Sequence, residues 1–288
     1  MYPTRAALRY PGGKWKLAPW VIEHFPAHDV YVEPFCGGAS VLLQKDRARR
    51  GEVINDIDGE IVNFFSVLRD KEAAAELIRR IELTPFARDE FHAALGPSGD
   101  SIEDARRLAV RAYMGQGSCV NYQNNGLRSK RTGQKFPARD WQLYPASLAA
   151  VVERLQGVVI ENLPALEIIK RYDHPGTLFY CDPPYVHSTR LDCGHKHYRY
   201  EMSDEDHIAL ARSLRKIHGI AVVSGYPSEL YRDLYRGWQK YERPHQKDRG
   251  GESIECLWVS PKCGTVQRKL FEVSGGDERE ENGKDVQS

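Results

Sequence analysis

The sequence predicts an α/β fold: a parallel sheet of alternating strands and helices, interrupted by one inserted, mainly helical segment. Three observations predict it. A strand and helix rhythm runs through the N-terminal third, and the same rhythm returns after residue 145. Residues 84–145, between the two stretches, carry scattered Pro, Gly, Asn and Ser with few strand-like runs.

In the first stretch, residues 30–34 read as a short buried strand, 39–50 as a helix, 52–56 as a second strand and 58–70 as a second helix. After the interruption come a helix around 148–155, a strand at 158–161, a helix at 165–171 and the β-branched and aromatic run TLFYC that leads into Asp182. Ser203 with Asp206 three residues later marks a helix start. Leu210, Leu214 and Ile217 supply its apolar face, and Gly219 ends it before a strand at 220–224. The expected organisation is a main domain of residues 1–83 and 146–273, an insertion of 84–145 and a tail of 274–288. The tail is polar, lacks apolar periodicity and reads as disordered.

With 288 residues and 41% apolar side chains, the chain can bury a substantial core. No run approaches the roughly 18 apolar residues of a membrane span, and the opening MYPTRAALRYPGGK lacks the apolar core of a signal peptide. The expectation is a cytoplasmic protein with no membrane association and no obligate protein partner. Cysteines at 36, 119, 181, 193, 256 and 263 form no CxxC pair and read as reduced, mostly buried thiols. The net charge of +1 says nothing about partners, but its distribution does. Between residues 105 and 139 stand Arg106, Arg107, Arg111, Arg128, Lys130, Arg131, Lys135 and Arg139, with no Asp or Glu. Such a run reads as an electrostatic footprint for a polyanion, against the plainer reading of a solvated basic surface.

Two loops carry the chemistry. The strand YVEP runs into Phe35-Cys36-Gly37-Gly38, where adjacent glycines let the backbone approach a ligand at the carboxyl edge of the sheet. Nineteen residues after Gly37, Asp56 ends the next strand, where its carboxylate can accept from both hydroxyls of a ribose. This pair suggests an adenosyl ligand without distinguishing NAD from S-adenosylmethionine. An ordinary tight turn with a helix-capping Asp would look the same.

Asp182-Pro183-Pro184-Tyr185 decides between the two ligands. It follows a buried-type strand, so it too lies at the carboxyl edge, and two prolines stiffen the loop that carries the carboxylate. An exocyclic adenine amine is a poor nucleophile because its lone pair is delocalised into the ring. Asp182 and the Pro183 carbonyl can each accept one N6 hydrogen and so aim the lone pair at a methyl group, and the carboxylate offsets the charge that develops on nitrogen. Tyr185 can stack on a base taken out of the duplex.

These motifs resemble the DNA adenine methyltransferases of the Dam type, particularly the form common in prophages. The resemblance covers residues 5 to about 260 and includes Arg9-Tyr10-Pro11-Gly12-Gly13-Lys14, which is similar to the family's N-terminal cofactor motif. It implies a Rossmann-like S-adenosylmethionine-dependent methyltransferase sheet that ends in an antiparallel hairpin, at about 238–241 and 255–259. It also implies S-adenosylmethionine as cofactor and double-stranded DNA as partner. The cofactor is expected to contact Tyr10, Lys14, Phe35, Gly37, Gly38, Asp56, Asn162 and Asp182. The basic insert falls between the Gly loop and Asp182, the order of the group whose target-recognition domain lies there.

Within the insert, Tyr122, Asn124 and Arg128 have side chains suited to base contact, and Lys130, Arg131 and Lys135 suit phosphate. His187, Cys193, His195 and His197 are zinc ligands by type, but their spacing is not a common zinc pattern. The expectation is a loop closing over substrate, and no metal. Methylation of RNA adenine or of a glutamine side chain is the competing enzymatic reading. A DNA-binding repressor without catalysis is the competing non-enzymatic one.

Overall fold

The computed structural model describes residues 2–117, 126–128, 136–189, 199–246 and 252–261. Among the described residues, seven strands build one sheet: β1 (Val30–Glu33), β2 (Gly51–Asn55), β3 (Val158–Glu161), β4 (Thr177–Cys181), β5 (Ile220–Gly225), β6 (Gln239–Gln246) and β7 (Glu252–Val259). Their spatial order is β3-β2-β1-β4-β5-β7-β6. Strands β1 to β5 run parallel, and β7 is antiparallel to both β5 and β6. The strand order reverses at β1, because β2 flanks it on one side and β4 on the other. In open α/β sheets, ligands bind beyond the strand carboxyl ends at such a reversal.

The central strands read as continuous apolar runs because both faces are covered. Every residue of β4 and of β5 is buried. Their side chains alternate between two cores, with Leu178 and Tyr180 on one side and Phe179 and Cys181 on the other. Ten α-helices are described: α1 (Ala18–Glu23), α2 (Gly59–Arg69), α3 (Lys71–Leu83), α4 (Arg88–Ala93), α5 (Ser101–Met114), α6 (Pro137–Gln142), α7 (Tyr144–Leu155), α8 (Ala165–Arg171), α9 (Asp204–Leu214) and α10 (Glu229–Leu234). The first seven feed the larger core, and α8, α9 and α10 cover the opposite face. None of the described helices is long and apolar enough to cross a membrane.

The expected strands, the antiparallel hairpin and four of the five expected helices (α2, α7, α8 and α9) fall about where the sequence puts them, with two corrections. The helix expected at 39–50 is a series of turns. Ala39 sits at φ 48°, and two sheet carboxylates capture backbone donors there: Glu33 accepts from Leu42 N–H (2.7 Å) and Glu52 from Ala48 N–H (3.1 Å). Gly219 does not end α9, which stops at Leu214. It is required where the chain enters β5, because a Cβ there would lie 2.6 Å from the Thr177 carbonyl oxygen. The expected capping box of Ser203 and Asp206 is present.

The segment expected as an insertion, residues 84–145, is helical in most of its described part, and its long helix α5 shares the main core. Leu108, Ala109, Ala112 and Met114 of α5 are buried in one cluster with Phe64, Leu68 and Leu77. Tyr113 stacks on Tyr144 with ring centroids 4.0 Å apart. Nearby, Glu52 of β2 anchors a buried ion triad, accepting from Arg154 at 2.6 and 2.9 Å and from Lys45 at 2.9 Å. Burial raises the pKa of Glu52, but these two cations outweigh it and hold the carboxyl below its ordinary range.

Candidate active site

The carboxyl ends of β1, β2 and β4 open into a cavity of about 390 Å³. Its floor begins with the N-terminal motif. Tyr10-Pro11-Gly12-Gly13 forms a tight turn, with Gly13 N–H donating to the Tyr10 carbonyl (3.0 Å) and Gly12 at φ 70°. That turn sets the Tyr10 ring against the Gly loop: a Cβ on Gly37 (φ 45°) would lie 2.8 Å from the ring. Two motifs far apart in sequence thus need each other's shape, and only glycine fits at 37.

Asp56 ties the second strand to the same loop. Its Oδ2 accepts from Gly37 N–H (2.9 Å) and its Oδ1 from Asp58 N–H (2.9 Å). Burial raises its pKa to about 6, partly offset by these backbone donors. Glu33, buried at the end of β1, accepts from Tyr31 Oη (2.6 Å) as well as Leu42, and burial raises it to about 7.

Asp182 leaves the end of β4 at the cavity wall. Its Oδ1 accepts from Ser224 Oγ (2.7 Å) and pairs with Lys14 Nζ (2.8 Å). Among the described residues Oδ2 has no partner, so one carboxylate oxygen remains to accept from a substrate. Lys14 is 4% exposed and also donates to the Gly12 carbonyl (3.1 Å) and to Tyr185 Oη. Tyr185 in turn donates to Glu255, and its ring lies 4.4 Å from that of Tyr226. Burial raises Glu255 to about 7, with Lys14 opposing and Asp182 reinforcing the shift.

The structure therefore brings Tyr10, Lys14, Phe35, Gly37, Gly38, Asp56, Asp182 and Pro184 to one cavity. Tyr185 and Pro183 are buried and lie behind its described wall. Asn162 is not among the residues that line the cavity. Its Nδ2 donates to the carbonyls of Asp56 (2.7 Å) and Ile57 (3.3 Å), bracing the β2–α2 turn, while Pro164, Ala165 and Leu166 reach the wall.

Sequence reasoning missed Glu33 and Glu255, although an acid inside an apolar strand run (VYVE, ECLWV) is a legible signal. It also missed Arg199, which lines the cavity and bonds Asp58 (3.1 Å) and Glu60 (2.7 Å); no sequence pattern marks it.

The 240 residues from 10 to 249 match the family model described as D12 class N6 adenine-specific DNA methyltransferase. The chain belongs to that family. The curated relatives this chain is similar to include several named DNA adenine methylase. That of Vibrio cholerae is 26% identical, over 83% of this chain and 87% of its own length. That of Escherichia coli K12 is 25% identical over 82% and 86%, and that of Serratia marcescens 26% over 82% and 88%. The protein is an adenine-specific DNA methyltransferase with the α/β sheet of that enzyme class, and it acts with a methyl donor.

Against this identity, the basic insert reads differently in three dimensions. Arg106 pairs with Glu90 (3.0 Å) and Glu103 (2.8 Å), Arg107 with Glu103 (2.9 Å), and buried Arg111 with Glu60 (2.6 Å). The acids, Glu60, Glu90 and Glu103, lie outside the window that looked uniformly positive, so this part of the expected footprint is internally neutralised. Arg128 pairs with Asp140 (3.2 Å), which Arg5 also contacts, and its Nε is buried without a hydrogen-bond partner. Tyr122, Asn124, Lys130, Arg131 and Lys135 lie outside the described residues, as do Cys193, His195, His197 and the tail 274–288. Among the described residues, no group of three or more His, Cys, Asp or Glu is placed to hold a metal ion.

Proposed function

We propose that the methyltransferase uses S-adenosylmethionine to methylate N6 of an adenine flipped out of double-stranded DNA, with Asp182 as the acceptor that orients the amine. The cavity's charge fits a cationic donor carrying a ribose. Among the described residues, the acidic side chains Glu33, Asp56, Asp58, Asp182, Glu201 and Asp206 line it against two basic ones, Lys14 and Arg199. When bound, the cofactor supplies an electrophilic methyl group on a sulfonium.

Each side chain then has a task. Asp56 accepts from the ribose hydroxyls, and Tyr10, Phe35, Gly37 and Gly38 shape the surface along which the adenosyl group lies. Lys14 and Ser224 hold Oδ1 of Asp182, which leaves Oδ2 for one N6 hydrogen, with the Pro183 carbonyl as acceptor for the other. As the N–C bond formed, the methyl–sulfur bond would break and nitrogen would gain positive charge, which the fixed carboxylate would offset until one N6 proton was lost to leave the neutral secondary amine. The Tyr185 ring takes the face of the extruded base, because N6 of a paired adenine is engaged within the duplex. Residues 105–139 grip the phosphate backbone through Lys130, Arg131 and Lys135, while Tyr122, Asn124 and Arg128 serve base contact.

The observation that carries this reading is the Oδ2 of Asp182, which has no partner among the described residues and lies on the wall shared with the Gly loop and Asp56. Asp182→Ala tests it. Methyl transfer to adenine should fall by about a hundredfold or more, while S-adenosylmethionine binding stays detectable by calorimetry. A rate within a few-fold of wild type would overturn the assignment.

A further inference from the structure

Glu255 is 1% exposed and sits on β7, outside the loops that name the family. Because β7 runs antiparallel to β5, with Gly225 opposite Cys256, its early residues lie beside the carboxyl end of the parallel strands. The strand thus carries an acid to the edge where Asp182 and Tyr185 leave β4. There the acid meets one chain of donors. Lys14 Nζ donates to Tyr185 Oη, which donates to Glu255 Oε1 (2.8 Å) and Oε2 (3.1 Å). Lys14 Nζ lies 3.7 Å from Oε1 and 2.8 Å from Asp182 Oδ1. The Lys14 ammonium also sits 4.8 Å from the centroid of the Tyr185 ring.

We propose that Glu255 is a positioning residue for methyl transfer: it fixes the Tyr185 hydroxyl, and through it the Lys14 ammonium, so that Lys14 meets Oδ1 of Asp182 and leaves Oδ2 for the substrate amine. A buried carboxylate is costly unless its hydrogen bonds are made, so its partners are held in turn. Without Glu255, the Tyr185 hydroxyl loses its acceptor and the ring can tilt about its Cα–Cβ bond. Lys14 then has lost one of the anions that fix it and can rotate off Oδ1. The base-stacking ring and the amine acceptor both depend on this chain. Glu255 touches neither reactant and acts through Tyr185 and Lys14.

This inference rests on the proposed role of Asp182, and the test separates the two. Steady-state methyl transfer to adenine in duplex DNA is measured for wild type, Glu255→Ala, Glu255→Leu, Glu255→Gln, Tyr185→Phe and the Glu255→Ala/Tyr185→Phe double variant. Unfolding midpoint and S-adenosylmethionine affinity are measured alongside for each. The expected result for Glu255→Ala is a fall in kcat of tenfold or more, with the KM for cofactor within about threefold of wild type. Glu255→Leu, which fills the volume without an acceptor, should be as slow. Glu255→Gln, which keeps one acceptor oxygen, should recover most of the lost rate. Since the two side chains act as one unit, the double variant should be no slower than the slower single variant.

Three results would overturn the proposal: wild-type kcat in Glu255→Ala, rescue by Leu as complete as that by Gln, or single effects that multiply in the double variant. Should Glu255→Ala fail to fold, Tyr185→Phe and Glu255→Gln still decide, because wild-type kcat in Tyr185→Phe alone breaks the chain. Failure of the Asp182 assignment would appear separately, as an Asp182→Ala enzyme that remains active.

Discussion

Asp56 offers a prediction in which structure, charge and ligand can be checked together. Replacing it with Asn removes a carboxyl group whose pKa burial raises from 3.8 to about 6. Between those values the folded protein binds more protons at this group than the unfolded chain does, so stability falls as pH rises. The contribution is complete below about pH 4 and is lost by the time pH has passed 6. A shift of roughly 2 units corresponds to about 3 kcal/mol. Asn keeps one acceptor oxygen but turns an amide towards the second of the two backbone donors, Gly37 N–H and Asp58 N–H. That costs about 1–3 kcal/mol at any pH, so the slope of stability with pH decides the matter. Urea unfolding of the cofactor-free protein from pH 4.5 to 7 should show a decline in wild type that is shallower in Asp56→Asn. Binding should move the opposite way, because ribose hydroxyls donate best to the ionised carboxylate. Wild-type affinity for S-adenosylmethionine should rise about tenfold from pH 5 to 7, with the variant weaker and flatter. Parallel stability profiles together with pH-independent affinity in wild type would refute this account of Asp56.

Other substitutions test the frame and the DNA surface. Glu52→Ala leaves Lys45 and Arg154 buried without their shared carboxylate and should cost about 3–5 kcal/mol in urea unfolding; a loss under about 1 kcal/mol would show that the triad relaxes freely. Neutralising Lys130, Arg131 and Lys135 together should weaken binding to all duplexes and flatten the logarithmic salt dependence by about 0.9 per lost phosphate contact; an unchanged slope would remove this segment from the interface. Arg128→Ala should cost roughly 1–3 kcal/mol on the preferred site and relax one base position in a randomised-duplex methylation assay. A loss spread evenly over sequences, together with a lowered unfolding midpoint, would show instead that Arg128 serves the fold through Asp140.

The centre of the sheet is legible because β1, β2, β4 and β5 are short, mostly buried runs flanked largely by glycine and proline, and because each loop of chemical interest follows directly from one. Residues 158–161, 165–171 and 177–181 fall where periodicity puts them. The segment 39–50 misled because its composition suits a helix, while the carboxylates that take its backbone donors lie on β1 and β2. The Gly loop, Asp56 and Asp182 could be placed at one edge from spacing alone. That Tyr10 fills the space over Gly37 could not, since it depends on a turn folding back from the N-terminus. Charge was the least legible property. A window without acids looked cationic, yet the partners of Arg106, Arg107, Arg111 and Arg128 come from residues 60, 90, 103 and 140. Glu255 was hidden for a related reason, since its role is visible only once the hairpin returns it to Tyr185 and Lys14.

The most direct test of the account is to incubate the purified protein with S-adenosylmethionine labelled in its methyl group and with duplex DNA of mixed sequence. The DNA is then digested and the modified nucleoside identified by mass spectrometry, in parallel with the Asp182→Ala variant and with RNA of the same sequence. The account predicts labelled N6-methyladenine from the duplex with the wild-type protein, and a yield reduced about a hundredfold or more with the variant. Label on cytosine, label on RNA in preference to the duplex, or equal yield from Asp182→Ala would contradict it.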